Sequence, residues 1–264
     1  MGSSGSREPK VVFLTGAGLS ADSGIRTYRG AGGYYEGMRA EDLMSAQTMR
    51  HAPERVHRFC DDRRVSLGDA EPNEAHRMIA RLAADFGPER VVHLTQNIDD
   101  CMERAGHGGT VHLHGFLTRM RSIGNSTVTR DIGYRRYWDG DSALAPEGGF
   151  QFRCPKTNSR FRPDVVLFGE AAPEYSKLWK AVGALRRHDL FVVIGTQGKV
   201  LPVQRFAEAV PCMSVLNNLH PSDEIDPEAF GKVLMCRAAE AAAEIEEIAR
   251  GVLGKAPIPE GRPG

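Results

Sequence analysis

The stretch Val11-Val12-Phe13-Leu14-Thr15-Gly16-Ala17-Gly18-Leu19-Ser20-Ala21-Asp22-Ser23-Gly24 decides how the chain is read. Val11–Leu14 is a short, β-branched-rich apolar run, the signature of a buried parallel strand. Gly16 and Gly18 follow directly and let the backbone turn tightly and approach a ligand. A helix opening there would offer phosphate its free N–H groups and its dipole. The full GxGxxG spacing is missing and no GK[ST] follows, which disfavours a P-loop for ATP. An ordinary strand-to-helix turn explains the same residues, so the loop alone leaves nucleotide binding open.

Four more runs repeat the strand pattern. Val91–Leu94 ends at Thr95-Gln96-Asn97, and Val165-Val166-Leu167-Phe168 ends at Gly169. Leu190–Ile194 ends at Gly195-Thr196, and Met213–Leu216 ends at Asn217-Asn218. Helical spacing falls between or after them, at about 74–86, 174–187, 202–210 and 237–253. This alternation predicts an α/β fold with a doubly wound parallel sheet and ligands at the carboxyl ends of the strands. Residues 32–73, polar and rich in Arg and His, fit poorly, as do residues 119–161, rich in Gly, Ser, Thr and Arg. Both read as excursions that build a small inserted domain. Residues 7–31, 74–118 and 162–253 then form the main domain. Met1–Ser6 (MGSSGS) reads as an expression tag and 254–264 as a disordered tail.

Composition narrows the function. The 264 residues carry 34 basic and 34 acidic side chains, so the formal net charge is zero. No basic stripe or acidic tail points to nucleic acid or an anionic membrane as partner. No apolar run reaches the roughly 18 residues that span a bilayer. The five cysteines, at 60, 101, 154, 212 and 236, are scattered and contain no CxxC. That argues against a disulfide framework and a four-thiolate zinc site, and for a reducing cytoplasm.

Other segments carry candidate chemistry. Ile25–Tyr35 mixes three glycines with arginines and tyrosines, and reads either as a flap that orders over an anion or as a surface loop. Gln96-Asn97-Ile98-Asp99 sits at a strand end, where its side chains meet a ligand or cap a helix. In His112-Leu113-His114-Gly115, a strand would put both histidines on one face. An imidazole with pKa near roughly 6.5 suits general-base work, and His114 is the better candidate because Gly115 leaves room beside it.

Taken in order, GAGLSADSGI with YRG, TQNID, HLHG and VVLFGE resemble the sirtuins, the NAD-dependent protein deacylases, over residues 10–250. The resemblance implies a Rossmann-like large domain, and a small domain with a helical module and a zinc ribbon. Gly16, Ala17, Gly18 and Ser20 would hold the pyrophosphate of NAD, with Arg29 on its phosphates or ribose. Gln96 belongs to the same cofactor set. Asn97 and Asp99 would hold the nicotinamide end. Gly195 and Thr196 would contact the pyrophosphate and ribose. Asn218 would bind the adenosine ribose, with Asn217 as its fallback, and Ala238 the adenine. Val165, Val166, Phe168, Gly169 and Glu170 would flank an acylated lysine. The implied reaction frees lysine, nicotinamide and O-acyl-ADP-ribose, with His114 taking a proton from the ribose hydroxyls. An acylated protein lysine is the implied partner, and a monomer is expected.

The sequence departs from the family in two places. The zinc ligands align with Ser122, Asn125, Cys154 and Thr157, so one thiol remains and no metal is expected. Packing of Tyr134, Tyr137, Trp138, Phe150, Phe152 and Phe161 would replace it. The Tyr-x-x-Arg of the succinyl- and malonyl-specific branch aligns with Cys60-Asp61-Asp62-Arg63. Arg63 would pair with an acyl carboxylate, or be a solvated arginine beside Asp61 and Asp62. Gln197 replaces the usual Ser after Gly-Thr. Two other functions stay open: an ADP-ribosyltransferase or NAD glycohydrolase, and a non-catalytic NAD or ADP-ribose binder. Neither needs His114 as a base.

Overall fold

The computed structural model describes residues 6–26, 34–35, 37–137, 153–255 and 258–259. Trp138, Phe150 and Phe152 lie outside them, as does Arg29.

Six parallel strands form the main sheet. They are β1 (Val11–Thr15), β2 (Val91–Thr95), β3 (Val111–His112), β7 (Leu190–Ile194), β8 (Met213–Asn217) and β9 (Lys232–Leu234). Their order is β9-β8-β7-β1-β2-β3. The order reverses between β1 and β7, which places a ligand crevice at their carboxyl ends. Both strands are buried along their whole length, as their apolar runs require.

Helices cover both faces. The helix Glu74–Phe86, here α2, opens on Asn73, whose side chain accepts the Ala75 N–H at 2.9 Å. Its apolar stripe Ala75, Met78, Ile79 and Leu82 packs with the helix Ala238–Leu253, α5, on Val11, Phe13 and Val91. The opposite face of β1, Val12 and Leu14, meets α3 (Tyr175–Gly183) and α4 (Val203–Ala209).

A second set of elements stands beside the sheet. Strands β4 (Gly115–Ser122), β5 (Thr129–Asp131) and β6 (Phe161–Val165) pair antiparallel in the order β5-β4-β6. Helix α1 (Pro53–Leu67) packs its Val56, Phe59 and Cys60 with Leu117, Val165 and Leu167. Arg64 is wholly buried there. It donates to Asp61 at 2.5 Å and to the Leu117 carbonyl at 2.7 Å, so α1 is tied to β4 by a paired charge.

The structure corrects three local readings. The run Val165–Phe168 is not a strand of the main sheet: its strand ends at Val165 and belongs to the second sheet. The pairing of Phe161–Val165 with Gly115–Ser122 outcompetes a place in the parallel layer. Strand β3 stops at His112, so the two histidines do not share a strand face. The tail pairs Ile258–Pro259 with Ser6–Arg7, so it carries a strand there. Among the described residues, no helix is long and apolar enough to cross a membrane.

Candidate active site

A cavity of about 600 Å³ opens at the carboxyl ends of β1 and β7. Its size suits a dinucleotide or a comparable ligand. Gly16, Ala17 and Gly18 form one wall, and Gly195 and Thr196 face them. The Gly16 N–H donates to the Ile194 carbonyl at 2.9 Å, and the Gly18 N–H to the Gly195 carbonyl at 2.8 Å. These two loops touch closely, backbone to backbone at Gly18 and Gly195. A Cβ on Gly18 would lie 2.5 Å from the Gly195 Cα, so glycine is required. A short 3-10 helix, Ala17–Ser23, starts at this wall, with its Gly18 and Leu19 N–H groups bonded to the Gly195 and Gly16 carbonyls.

The far end of the cavity is formed by Asn217, Asn218 and Ala238. Asn218 is held by its amide, which donates to the Thr196 carbonyl at 2.8 Å. Asn217 is spent on the Leu234 and Cys236 carbonyls, both at 3.0 Å. Asp22 accepts from Arg237 at 2.8 Å and so links the glycine loop to the start of α5.

His114 stands on the opposite wall, next to Gln96, Val165 and Val166. Its Nδ1 lies 2.9 Å from the Gln96 carbonyl. A carbonyl only accepts, so Nδ1 carries the hydrogen and Nε2 the lone pair. Burial pulls the imidazole below its usual pKa, opposed by the Gln96 bond. Its carbonyl accepts the Val166 N–H at 2.8 Å. Gly115, at φ +88°, lets Asp164 pass close behind. His112 points elsewhere, to the Asn97 carbonyl and Glu103, each at 3.0 Å.

Ser20 and Asp99 lie behind this wall, not in it. Together with Arg63 and Asn97 they line a smaller pocket of about 40 Å³. The Asn73 N–H donates to His76 Nδ1, so in the neutral ring Nε2 holds the hydrogen, 3.2 Å from Ser20 Oγ. Asn97 donates to Ser20 at 3.0 Å, and Ser20 donates to Asp99 at 2.9 Å. The Ser20 hydroxyl is thereby fully committed, and it anchors Asn97 and Asp99. Burial raises the pKa of Asp99. Asn97 lines both pockets and connects them.

Phe168, Gly169 and Glu170 line the cavity mouth, with Phe168 half exposed. The Phe168 N–H donates to the Met44 carbonyl at 2.9 Å. Glu170 accepts from Arg162 at 2.5 Å and from the Leu167 N–H at 3.0 Å. Burial opposes its charge, yet these bonds hold its pKa below the usual carboxylate range.

Cys60 is fully buried, with its thiol pushed up to about 12 by burial. Its sulfur lies 3.8 Å from that of Met44, a residue that does line the cavity. Arg63 donates to the Arg26 carbonyl at 2.8 Å and stacks on Phe59. The sequence did not single out Tyr175 and Met44. Tyr175 lies 61 positions from its partner His114, and no local spacing signals such a contact.

The aligned zinc positions hold a different cluster. Ser122 Oγ meets Ser159 Oγ at 2.8 Å, and Thr157 meets Ser159 at 2.7 Å. The Asn125 N–H donates to Ser122 at 3.2 Å. Hydrogen bonds from Ser122 and Thr157 draw the Cys154 thiol down to about 7. One thiol among hydroxyls that satisfy each other does not fit tetrahedral zinc. His76, Asp99 and Cys101 also lie close together, but they share the Ser20 network just described.

A 3-2-1-4-5-6 parallel sheet with a glycine loop at its switch point defines a dinucleotide-binding fold of the Rossmann type. The chain belongs to the Sir2 family, whose model matches residues 16–202. It is 38% identical over 224 residues to an NAD-dependent protein deacylase of Campylobacter jejuni (strain RM1221), covering 84% of this chain and 88% of that protein. It is 39% identical over 233 residues to one from Yersinia pseudotuberculosis serotype I (strain IP32953), covering 85% and 78%. A crystal structure of a Sir2 homolog–NAD complex superimposes with a TM-score of 0.75 at 28% identity, covering 94% of this chain and 91% of that one.

Proposed function

We propose that this chain is an NAD-dependent protein-lysine deacylase that produces nicotinamide and O-acyl-ADP-ribose. The observation that carries this reading is His114 Nε2, an unprotonated nitrogen on the wall of a cavity shared with the glycine loop. Binding alone needs no base there. When bound, NAD supplies an electrophilic ribose carbon with nicotinamide as its leaving group.

Each residue then has a task. Gly16, Ala17, Gly18, Gly195 and Thr196 hold phosphate and ribose, the glycines letting the ligand approach the backbone closely. Arg29 is assigned to the same phosphates. Asn218 and Ala238 take the adenosine end. Asn97 and Asp99, anchored by Ser20, hold the nicotinamide end. Val165, Val166 and the Phe168-Gly169-Glu170 stretch flank the acyl-lysine. His114 accepts a proton from a ribose hydroxyl at Nε2 and returns it as the acyl group moves. Its lowered pKa keeps that nitrogen unprotonated at neutral pH.

Residues 7–31, 74–118 and 162–253 serve as the cofactor domain, and 32–73 with 119–161 as the small domain. The small domain closes without zinc through the Ser122, Thr157, Ser159 and Cys154 cluster. The substrate is an acylated protein lysine, met by a cytoplasmic monomer.

The test is to incubate the protein with NAD and lysine peptides carrying acetyl, succinyl and longer acyl groups. Mass spectrometry should find O-acyl-ADP-ribose, and His114→Ala should abolish it. Nicotinamide release without the acyl product would favour NAD hydrolysis or ADP-ribosyl transfer instead.

A further inference from the structure

The lone pair of His114 is already engaged. Tyr175, the first residue of α3, places its hydroxyl 2.8 Å from His114 Nε2. Nδ1 carries the ring hydrogen toward Gln96, so the phenol is the donor and Nε2 the acceptor. The imidazole is therefore gripped at both nitrogens, one by backbone and one by a side chain. Both rings line the cavity. Burial pushes the phenol pKa up and the imidazole pKa down, so both are neutral near pH 7.

We propose that Tyr175 is a positioning residue for His114, orienting its Nε2 toward the cavity and giving the imidazolium an acceptor once Nε2 has taken a proton. The proposal rests on the deacylase reading for its catalytic consequence, but not for the contact itself. A hydroxyl suits this task because it can donate or accept. While the ring is neutral, Oη–H donates to Nε2. Once the ring is protonated, Nε2–H donates to Oη, and the phenol hydrogen turns away. Other polar groups near His114 are engaged elsewhere. Glu170 is bound by Arg162, Asp164 by Arg119, and His112 by Glu103. Tyr175 is thus the side chain the described contacts offer to a protonated Nε2. Hydrogen bonds to a charged group outweigh neutral ones. Removing the hydroxyl should therefore hurt the cation more than the neutral ring.

The test is Tyr175→Phe, which keeps the ring and its packing. In the NAD-free protein, His114 is titrated by imidazole NMR, with His114→Gln assigning the signal. The pKa should fall further, by several tenths of a unit up to about one, with an unchanged melting temperature. In the acyl-transfer assay, kcat should fall tenfold or more while KM for NAD stays within about twofold. An unchanged or raised His114 pKa would overturn the proposal, whatever the assay shows. A lowered pKa with unchanged kcat would overturn the catalytic role while leaving the contact. Loss of deacylation in the parent protein would fall on the deacylase reading, not on the NMR result.

Discussion

Gly18 and Gly195 meet backbone to backbone: the Gly18 N–H donates to the Gly195 carbonyl at 2.8 Å, and no side chain fits between them. This contact joins the end of β1 to the end of β7 and sets the width of the crevice.

Gly18→Ala should therefore do more than fill space. The new methyl meets the Gly195 Cα at 2.5 Å, and the neighbour is backbone, which yields poorly. Overpacking of this kind costs about 1–3 kcal/mol. Thermal melts with and without NAD should show a lower melting temperature and a loss of NAD stabilisation. A variant that melts and binds like the parent would mean that the two loops are free to separate.

Acid should destabilise the protein through buried histidines. Burial, aided by nearby arginines, lowers His57 to about 3 and His76 to about 4. In the unfolded chain both titrate near roughly 6.5. Between those values the unfolded state binds more protons, so stability is full above about 6.5 and falls as pH drops toward 4. Each group contributes on the order of 3 kcal/mol of loss by pH 4. Asp99, whose pKa is raised by burial, works in the opposite sense. Melting temperature against pH should fall steeply below 6.5, and His76→Gln should flatten the curve.

Chelation should leave the fold intact. Ser122, Thr157 and Ser159 already satisfy one another around Cys154. Purified protein should contain no stoichiometric zinc by elemental analysis, and EDTA should not shift its melting temperature. One zinc per chain, lost together with the fold, would overturn this reading.

Arg63 is expected to act on the cofactor side. It lines the smaller pocket with Ser20 and Asp99 and holds the Arg26 carbonyl, at the edge of the glycine-rich stretch. Arg63→Ala should raise KM for NAD severalfold and change the ratio of acetyl to succinyl turnover little. A selective loss of succinyl turnover would instead assign Arg63 to the acyl carboxylate.

Much of the frame was legible because local signals carried it. The helix expected at 74–86 spans Glu74–Phe86, with its cap and its apolar stripe in sequence. The glycine loop and His114 announced themselves by residue type and by order. What failed depended on pairing at a distance. Val165–Phe168 looked like a parallel strand because an apolar run does not reveal its partner. Lys232–Leu234 is too short to show a period. Arg64, buried at zero exposure, reads in sequence like its solvated neighbours. Ser20, expected at the cofactor phosphates, sits instead in a buried network that needs His76, Asn97 and Asp99 brought together by the fold.

The two crossings between the main sheet and its companion are themselves a paired ribbon, Gly115–Ser122 against Phe161–Val165, with a register shift between Phe116 and Met120. Two strands bonded to each other cannot slide independently. His114 and Val166 sit at the root of that ribbon, joined by the Val166 N–H to the His114 carbonyl at 2.8 Å, so these two cavity-lining residues follow any shift of it together.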